Sequence, residues 1–308
     1  MDFIIGGLAA SGAALFSNPF DVLKTRMQLQ GELQAKGKHA VFYKNTVHAA
    51  YVVAKNEGIR GLQKGLGAAL MLHSLRNSIR LGLYSLLQDE GYLTDDKGKT
   101  IMYRSFIASA STGAAGAFVG SPLFMIKTQL QSQAARQIAV GHQHHHQGVL
   151  VAVRSIYSAQ GIRGLWRGVS GTVLRALVGS SAQLTSFAVT KDMLKEYEPM
   201  RTNPLLASIS AGFVSTIFQT VAITPFDLVS TRLYNQGVDA SGKGLLYKGL
   251  GDCFLKIWRA EGFQGFYKGI GPNYMRLAPH GALCLVFWDL LRDLHMKYLS
   301  SKRLETAV

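Results

Sequence analysis

Only two cysteines, Cys253 and Cys284, occur in the 308 residues. That is too few for a disulfide framework, and it suits a reducing compartment or indifference to redox. Acidic residues are scarce as well: 18 Asp and Glu face 33 Lys and Arg, for a net charge of +15. Such a balance points to phosphate, an anionic membrane surface or small anionic solutes as partners. Charge of either sign is sparse, at 17% of residues against 48% hydrophobic, which is too apolar for two ordinary soluble domains. The chain also lacks a nucleophile elbow, a Walker motif and metal-ligand spacing within its units, so neither an enzyme nor a metal site is expected. Its first ten residues, MDFIIGGLAA, show no basic n-region and no Arg-rich presequence pattern. Neither a cleaved secretory peptide nor a transit peptide is expected.

Prolines number seven, and three of them mark a repeat. PFDVLKTRMQ at 19–28 recurs as PLFMIKTQLQ at 122–131 and as PFDLVSTRLY at 225–234, so that Pro19, Pro122 and Pro225 stand 103 residues apart. A second landmark keeps step with the first: EGIRGLQKG at 57–65, QGIRGLWRG at 160–168 and EGFQGFYKG at 261–269. The chain therefore divides into units 1–100, 101–200 and 201–308, together one transmembrane bundle.

Each unit contributes two long apolar segments. The six lie at 3–29, 66–88, 103–131, 169–191, 204–234 and 271–293, most of them near the roughly 20 residues that cross a bilayer. Small residues at close-packing spacing, as at Ser109, Gly113 and Gly116 or at Ser208 and Gly212, favour helices touching in lipid. Between the landmarks, Val47, Ala50, Tyr51 and Ala54, and later Leu250, Cys253, Phe254 and Ile257, follow the 3-4 periodicity of a surface helix. The stretch GHQHHH at 141–146 has the composition of a metal tract. Without a counterpart in the other units it reads as a solvated loop.

The tripled motifs resemble those of the mitochondrial carrier family, six-helix solute carriers of the inner mitochondrial membrane. The family pattern is Pro-x-Asp/Glu-x-x-Lys/Arg-x-Lys/Arg, a loop, then Asp/Glu-Gly, four residues, an aromatic, Lys/Arg and Gly, and here it spans essentially the whole chain. Within the family, TRLYNQ at 231–236 and KGIGP at 268–272 are similar to the oxaloacetate carrier group. The resemblance implies an all-α membrane protein with six transmembrane helices in three tandem pseudosymmetric repeats. Each repeat would add a short amphipathic helix on the matrix side, and both termini would face the intermembrane space. A monomer working by alternating access around a central cavity is implied, with structural cardiolipin and no cofactor. Kinks at Pro19, Pro122 and Pro225 would draw the odd-numbered helices together at the matrix end.

In the family an acid of one odd helix pairs with a base of the next, which implies a matrix gate of Asp21 with Lys127, Asp227 with Lys24, and Phe124 with Ser230. The third pair has lost both charges together, as avoidance of a lone buried charge requires. Ordinary juxtamembrane charges would show no such correlation. Gln28 and Gln131 stand where they brace the ion pairs, whereas Tyr234 in the third position leaves the brace incomplete. The opposite gate is eroded. Of Gln88, Lys191, Asp289 and Arg292, set against Ser85 and Ala188, no two make a complete family ion pair, so outward opening is expected to be the easier conformation.

Seven residues past the glycine of each second landmark lie Leu72, Arg175 and Arg276, the substrate contact level of the family. Two arginines facing one cavity suit a doubly charged anion, since guanidinium forks grip carboxylate, sulfate or phosphate. Arg76 lies one turn on from Leu72 and about 40° from its face. His73 and His280 either line the cavity, where histidine suits proton-linked roles, or pack between helices. Arg175 followed by Ala176 is nearest the keto-acid carriers of the family, which implies transport of a dicarboxylate or oxoacid such as oxaloacetate, or of sulfate. Lys64-Gly65, Arg167-Gly168 and Lys268-Gly269, with Tyr247 and Gly249, match the family's cardiolipin positions. A basic helical-repeat protein binding nucleic acid is disfavoured because the charges cluster at the ends of apolar runs. A proton-leak carrier and a carrier-shaped protein that no longer transports remain as alternatives.

Overall fold

The computed structural model describes residues 2–34, 41–95, 101–194, 197–198, 204–239 and 242–305. Among these, nine α-helices and two 3-10 turns form, and the one β-bridge, Val238 with Gly244, is isolated. The helices are α1 (Asp2–Leu29), α2 (Thr46–Leu62), α3 (Leu66–Asp89), α4 (Met102–Ser132), α5 (Val149–Leu165), α6 (Val169–Leu194), α7 (Pro204–Asn235), α8 (Leu250–Glu261) and α9 (Ile270–Glu305). The expected repeat boundaries at 100 and 200 lie outside the described residues.

Six helices are long: α1, α3, α4, α6, α7 and α9. The shortest of them, α3, has 24 residues, which at about 1.5 Å each makes about 36 Å, enough to cross about 30 Å of hydrocarbon. Among the described helices only α7, over Leu206–Asn235, passes for a membrane span on hydropathy alone, at a mean of 1.6 over 18 residues. The others are diluted by polar side chains turned inward: α1 alone buries Ser17, Asn18, Asp21, Lys24 and Arg26. In space α1 packs on α3 and α9, α3 on α4, α4 on α6, α6 on α7 and α7 on α9, which closes a ring of six. The odd-numbered spans α1, α4 and α7 also touch one another.

Pro19, Pro122 and Pro225 sit inside those three helices, and Pro279, which no repeat motif announces, lies inside α9. Each lacks an N–H and crowds the carbonyl four residues back, a bend built into the helix. Small residues allow close approach: Gly116 lies against the Arg76 carbonyl of α3, and Gly113 faces Ser180 of α6. Gly212, expected in the same role, faces open space.

The second landmark is explained by its glycines. Gly65, Gly168 and Gly269 all have left-handed backbones, with φ of 70°, 83° and 78°, a region that costs glycine nothing. Each also presses on an odd helix of the next repeat, against Gln131, Tyr234 and Gln28 respectively, where a Cβ would meet side-chain atoms within 2.9–3.1 Å.

The short helices match the expected periodicity in one repeat and depart from it in another. In α8, Cys253 and Ile257 are buried and Leu250 and Phe254 are half-buried, as the spacing predicts. In α2 the core contact is made by Ala49 and Val53 instead, while Val47 and Tyr51 are 75% and 62% exposed. Of the apolar stripe read from Val47, Ala50, Tyr51 and Ala54, only Ala50 packs against the core, and the other three are exposed. Alanine and valine are small enough to let α2 lie close to the bundle, which a tyrosine would hold off.

Ion pairs tie these short helices to the spans. Arg26 grips Glu57 with two bonds of 2.9 Å, and Lys64 adds a contact of 2.8 Å. Arg26 Nε also donates to the Gln131 carbonyl at 3.3 Å. The third repeat repeats the device with Arg232, Glu261 and Lys268, and Arg232 Nε donates to the Gln28 carbonyl at 3.2 Å. In the middle repeat both charges are replaced by amides, Gln129 and Gln160. Gln129 keeps the equivalent backbone bond, to the Tyr234 carbonyl at 3.0 Å.

The loop expected to be solvated is a strap instead. Its Ile138 and Val140 are buried with Leu23, Leu29 and Tyr43, and Tyr43 donates to the Ile138 carbonyl at 2.8 Å. His144 Nε2 lies 3.0 Å from the Asn235 carbonyl, His146 Nε2 lies 3.2 Å from Gln129 Oε1, and Asn235 donates to the His142 carbonyl at 3.1 Å. His142 and His145 stay exposed, while the half-buried His144 and His146 are held by acceptor oxygens of other segments. The strap therefore joins the ends of α4 and α7 where the middle repeat has no arginine–glutamate pair.

Two outcomes are expected. Glu57→Gln leaves Arg26 buried without its acid and destabilises the protein by about 3–5 kcal/mol, whereas Arg26→Gln with Glu57→Gln, the middle-repeat arrangement, recovers much of that in thermal unfolding. For the strap, burial pulls the His144 imidazole down to about 4, although the Asn235 carbonyl favours its protonated form. A group held neutral contributes fully above its unfolded value of 6.5 and loses that contribution as pH falls toward 4. Amide hydrogen exchange of residues 134–147 is expected to accelerate across that window, and to do so less in His144→Phe.

Candidate functional site

Two ion pairs close the proline end. Lys127 Nζ on α4 lies 2.7 Å from Asp21 Oδ2 on α1, and Lys24 Nζ on α1 lies 2.8 Å from Asp227 Oδ2 on α7. All four residues are buried, so each charge depends on its partner. The third seam, α4 with α7, has no ion pair among the described residues: Ser230 donates back to the Phe226 carbonyl at 2.7 Å, and the Phe124 ring lies tilted, 5.5 Å from that of Tyr234.

The braces differ from the sequence expectation. Gln28 donates to Asp227 Oδ2 at 3.3 Å and accepts from Thr231 at 2.9 Å, which braces one pair directly. Gln131 donates to Asn18 and accepts from Thr25 instead, at 3.0 and 3.3 Å, and does not brace Asp21. Tyr234, expected to leave a gap, fills it. Its hydroxyl bonds Ser121 at 2.9 Å and also Thr172, locking α7 to α4 and α6. A phenol spans the distance that an amide bridges with a charged partner.

Arg175 and Arg276 sit directly on this layer. Arg175 Nη1 is 3.5 Å from Asp227 Oδ1, with its guanidinium 5.0 Å over the Phe124 ring. Arg276 Nε is 3.2 Å from Asp21 Oδ1, and its Nη2 donates to Asn273 at 3.1 Å. Neither arginine–acid contact is an aligned hydrogen bond: Arg175 Nε, Arg276 Nε and Asp227 Oδ1 are buried without a hydrogen-bond partner among the described residues. The attraction is one of proximity, and the donors stay available. Arg76 is half-buried and makes no ion pair among the described residues, and Arg80 beyond it is exposed. Five cations, Lys24, Lys127, Arg76, Arg175 and Arg276, thus meet only two carboxylates.

The remaining contact-level residues divide. Leu72 is buried in a cluster with Phe124 and Met125, against Gly120 of α4, and belongs to the core. Ala176 is half-buried beside Arg175. His73 is 2% exposed and its ring lies 4.8 Å from that of His280. Ser17 Oγ meets His280 Nδ1 at 3.0 Å.

At the opposite end Gln88, Asp289 and Arg292 are exposed, and the half-buried Lys191 lies 5.8 Å over the Phe187 ring. No ion pair joins them among the described residues. Of the expected lipid positions, Lys64 and Lys268 are occupied with Glu57 and Glu261, while Arg167 has two donors without partners. The Tyr247 ring is buried, with its hydroxyl on Glu32 at 2.9 Å and its N–H on Gln236 at 2.8 Å, so Gly249 at the start of α8 is the more open of that pair.

The Tyr234 lock and the arginine–acid contacts were not anticipated from the sequence. The paired replacement of Arg26 and Glu57 by Gln129 and Gln160 was visible there, in the register of the three repeats.

Comparison with known proteins agrees with this architecture. The family described as mitochondrial carrier protein matches residues 1–91, 99–198 and 201–299. The chain is 49% identical over 298 residues to solute carrier family 25 member 35 of Mus musculus, covering 97% of this chain and 99% of the relative. It is 38% identical over 292 residues to the mitochondrial oxaloacetate transport protein of Saccharomyces cerevisiae, covering 93% and 87%. It is 36% identical over 308 residues to mitochondrial citrate transporter E of Aspergillus niger, covering 97% and 96%. The chain belongs to the mitochondrial carrier family, and is thereby a transporter of small metabolites in a mitochondrial membrane.

Proposed function

We propose that the protein carries small anions with two or more negative charges, dicarboxylates or oxoacids, across the inner mitochondrial membrane by alternating access. The observation that carries this reading is the excess of cations around Arg175 and Arg276, whose donors are buried beside two carboxylates yet not consumed by them. A dianion entering from the outer end meets donor-only guanidinium groups in a low-dielectric site, where charge-assisted bonds are strong. Relatives named for oxaloacetate and citrate transport support the same class.

The geometry supplies a cycle. In this structure the ion pairs of the proline end, the matrix gate in this reading, are made, while none joins Gln88, Lys191, Asp289 and Arg292 at the outer end among the described residues. Asp21 is shared by Lys127 and Arg276, and Asp227 by Lys24 and Arg175. An anion that draws the arginines toward itself removes one cation from each carboxylate and loosens the gate. The outer end, where Gln88, Lys191, Asp289 and Arg292 make no ion pair with one another among the described residues, re-opens the more readily of the two. Cardiolipin phosphates would sit at the starts of α3, α6 and α9, near Gly65, Gly168 and Gly269, where helix N–H groups favour anions.

Uptake into liposomes of oxaloacetate, malate, malonate, sulfate, phosphate and ADP tests the reading. Arg175→Ala and Arg276→Ala should each lower dianion uptake about 10- to 100-fold, the worth of a charge-assisted bond. ADP uptake surviving both substitutions would overturn it. For the gate, Asp227→Asn strands Lys24 and is expected to abolish transport and cost about 3–5 kcal/mol. Adding Lys24→Gln, which mimics the neutral Phe124 and Ser230 seam, should restore part of the thermal stability.

A further inference from the structure

We propose that His73 and His280 are the third contact of the anion site, and that they select dianions bearing a further hydrogen-bonding oxygen, an oxo or hydroxyl group, between the two acid groups. The inference rests on the reading that the cavity binds small dianions.

The first repeat supplies no arginine at the contact level, and the residue it has there, Leu72, is committed to the core between α3 and α4. The next side chain, His73, is the anomaly. It is 2% exposed, and neither Nδ1 nor Nε2 has a hydrogen-bond partner among the described residues. Buried polar groups are paired in nearly every case, so an orphan imidazole with both nitrogens idle asks for a ligand. His280 faces it at 4.8 Å from the other side of the site, held in place by Ser17 of α1 through Nδ1. Around the pair stand Arg76 on α3, Lys127 on α4, Arg276 on α9 and Asp21 on α1, the last already taken by Lys127 and Arg276.

The chemistry of the two side-chain types divides the work. Guanidinium offers donors only, so any carboxylate satisfies Arg175 and Arg276. A neutral imidazole offers one donor and one acceptor, and a pair can present a donor with an acceptor, which fits a hydroxyl, or donors alone, which fit a carbonyl oxygen. A methylene in the same place leaves the nitrogens buried and unpaired, and a site built to bond an oxygen rejects such an analogue strongly. Malate and oxaloacetate differ from succinate in this one oxygen.

The chain carries its own reporter for the test. Cys284 stands one turn beyond His280 on α9 and is half-buried, while Cys253 is fully buried. A negatively charged methanethiosulfonate, applied to the full-length protein in liposomes, reads Cys284, and a bound anion slows the labelling. Malate and oxaloacetate should protect at concentrations about 10-fold or more below succinate. His73→Phe and His280→Phe should bring the ratio toward one by weakening malate and sparing succinate, and His73→Gln, which keeps a donor and an acceptor, should retain part of it. Arg175→Ala should weaken all three alike. A ratio that survives both histidine substitutions, or equal protection by malate and succinate in the unaltered protein, overturns the inference alone. If no dianion protects, the anion-site reading falls and takes the inference with it. Unchanged thermal stability of the histidine variants separates lost contacts from lost fold.

Discussion

Two carboxylates buried at the meeting point of three helices hold the rest of this structure in place. Asp21 and Asp227 are buried, so each must recruit cations from other spans. Lysines answer from the side, across the seams α1–α4 and α1–α7, and arginines answer from above, out of α6 and α9. That shared demand couples the closure of one end to the contents of the cavity. The groups that an anion would seek are the groups that help to neutralise the closure.

The threefold plan is broken by neutral substitution in pairs. Phe124 and Ser230 replace an acid and a base on one seam, and Gln129 and Gln160 replace an arginine and a glutamate on the same repeat's short-helix clamp. On the seam no lone charge is left, as the cost of an uncompensated buried ion requires, whereas the middle clamp keeps Arg167 without an acid, two of its donors unpartnered among the described residues. The mechanical deficit is met by uncharged contacts: the Tyr234 hydroxyl on Ser121 and Thr172, its ring on Phe124, and the histidine strap on Asn235 and Gln129. The α4–α7 seam is thus held by hydrogen bonds and an aromatic contact, and the other two by ion pairs.

Much of this was legible beforehand. The period of 103 residues announced three units, and the charges after Pro19, Pro122 and Pro225 named the partners that now lie 2.7 and 2.8 Å apart. What was misread has a common cause. Gln131, Tyr234, Leu72 and the stripe on α2 were placed by their position in a motif, but their contacts depend on which neighbour reaches the same atom first. Gln131 is taken by Asn18 and Thr25 rather than by Asp21, and Ala49 and Val53 hold the buried face of α2. The strap was read as solvated because its polar composition is that of a surface loop, and nothing local indicates that carbonyls of another repeat lie waiting.

The sequence by itself determined how many spans there are, where they end, and which acids and bases are obliged to meet. Those features follow from covalent spacing and from the cost of burying a charge unpaired, and neither depends on helix rotation. Only the tertiary structure decided that Leu72 packs into the core while the adjacent His73 meets His280, that two arginines rest on two carboxylates, and that a tyrosine completes the third brace. A single step along a helix turns a side chain by about 100°. Which of two adjacent residues lines a cavity is therefore settled by the packing of all six spans together.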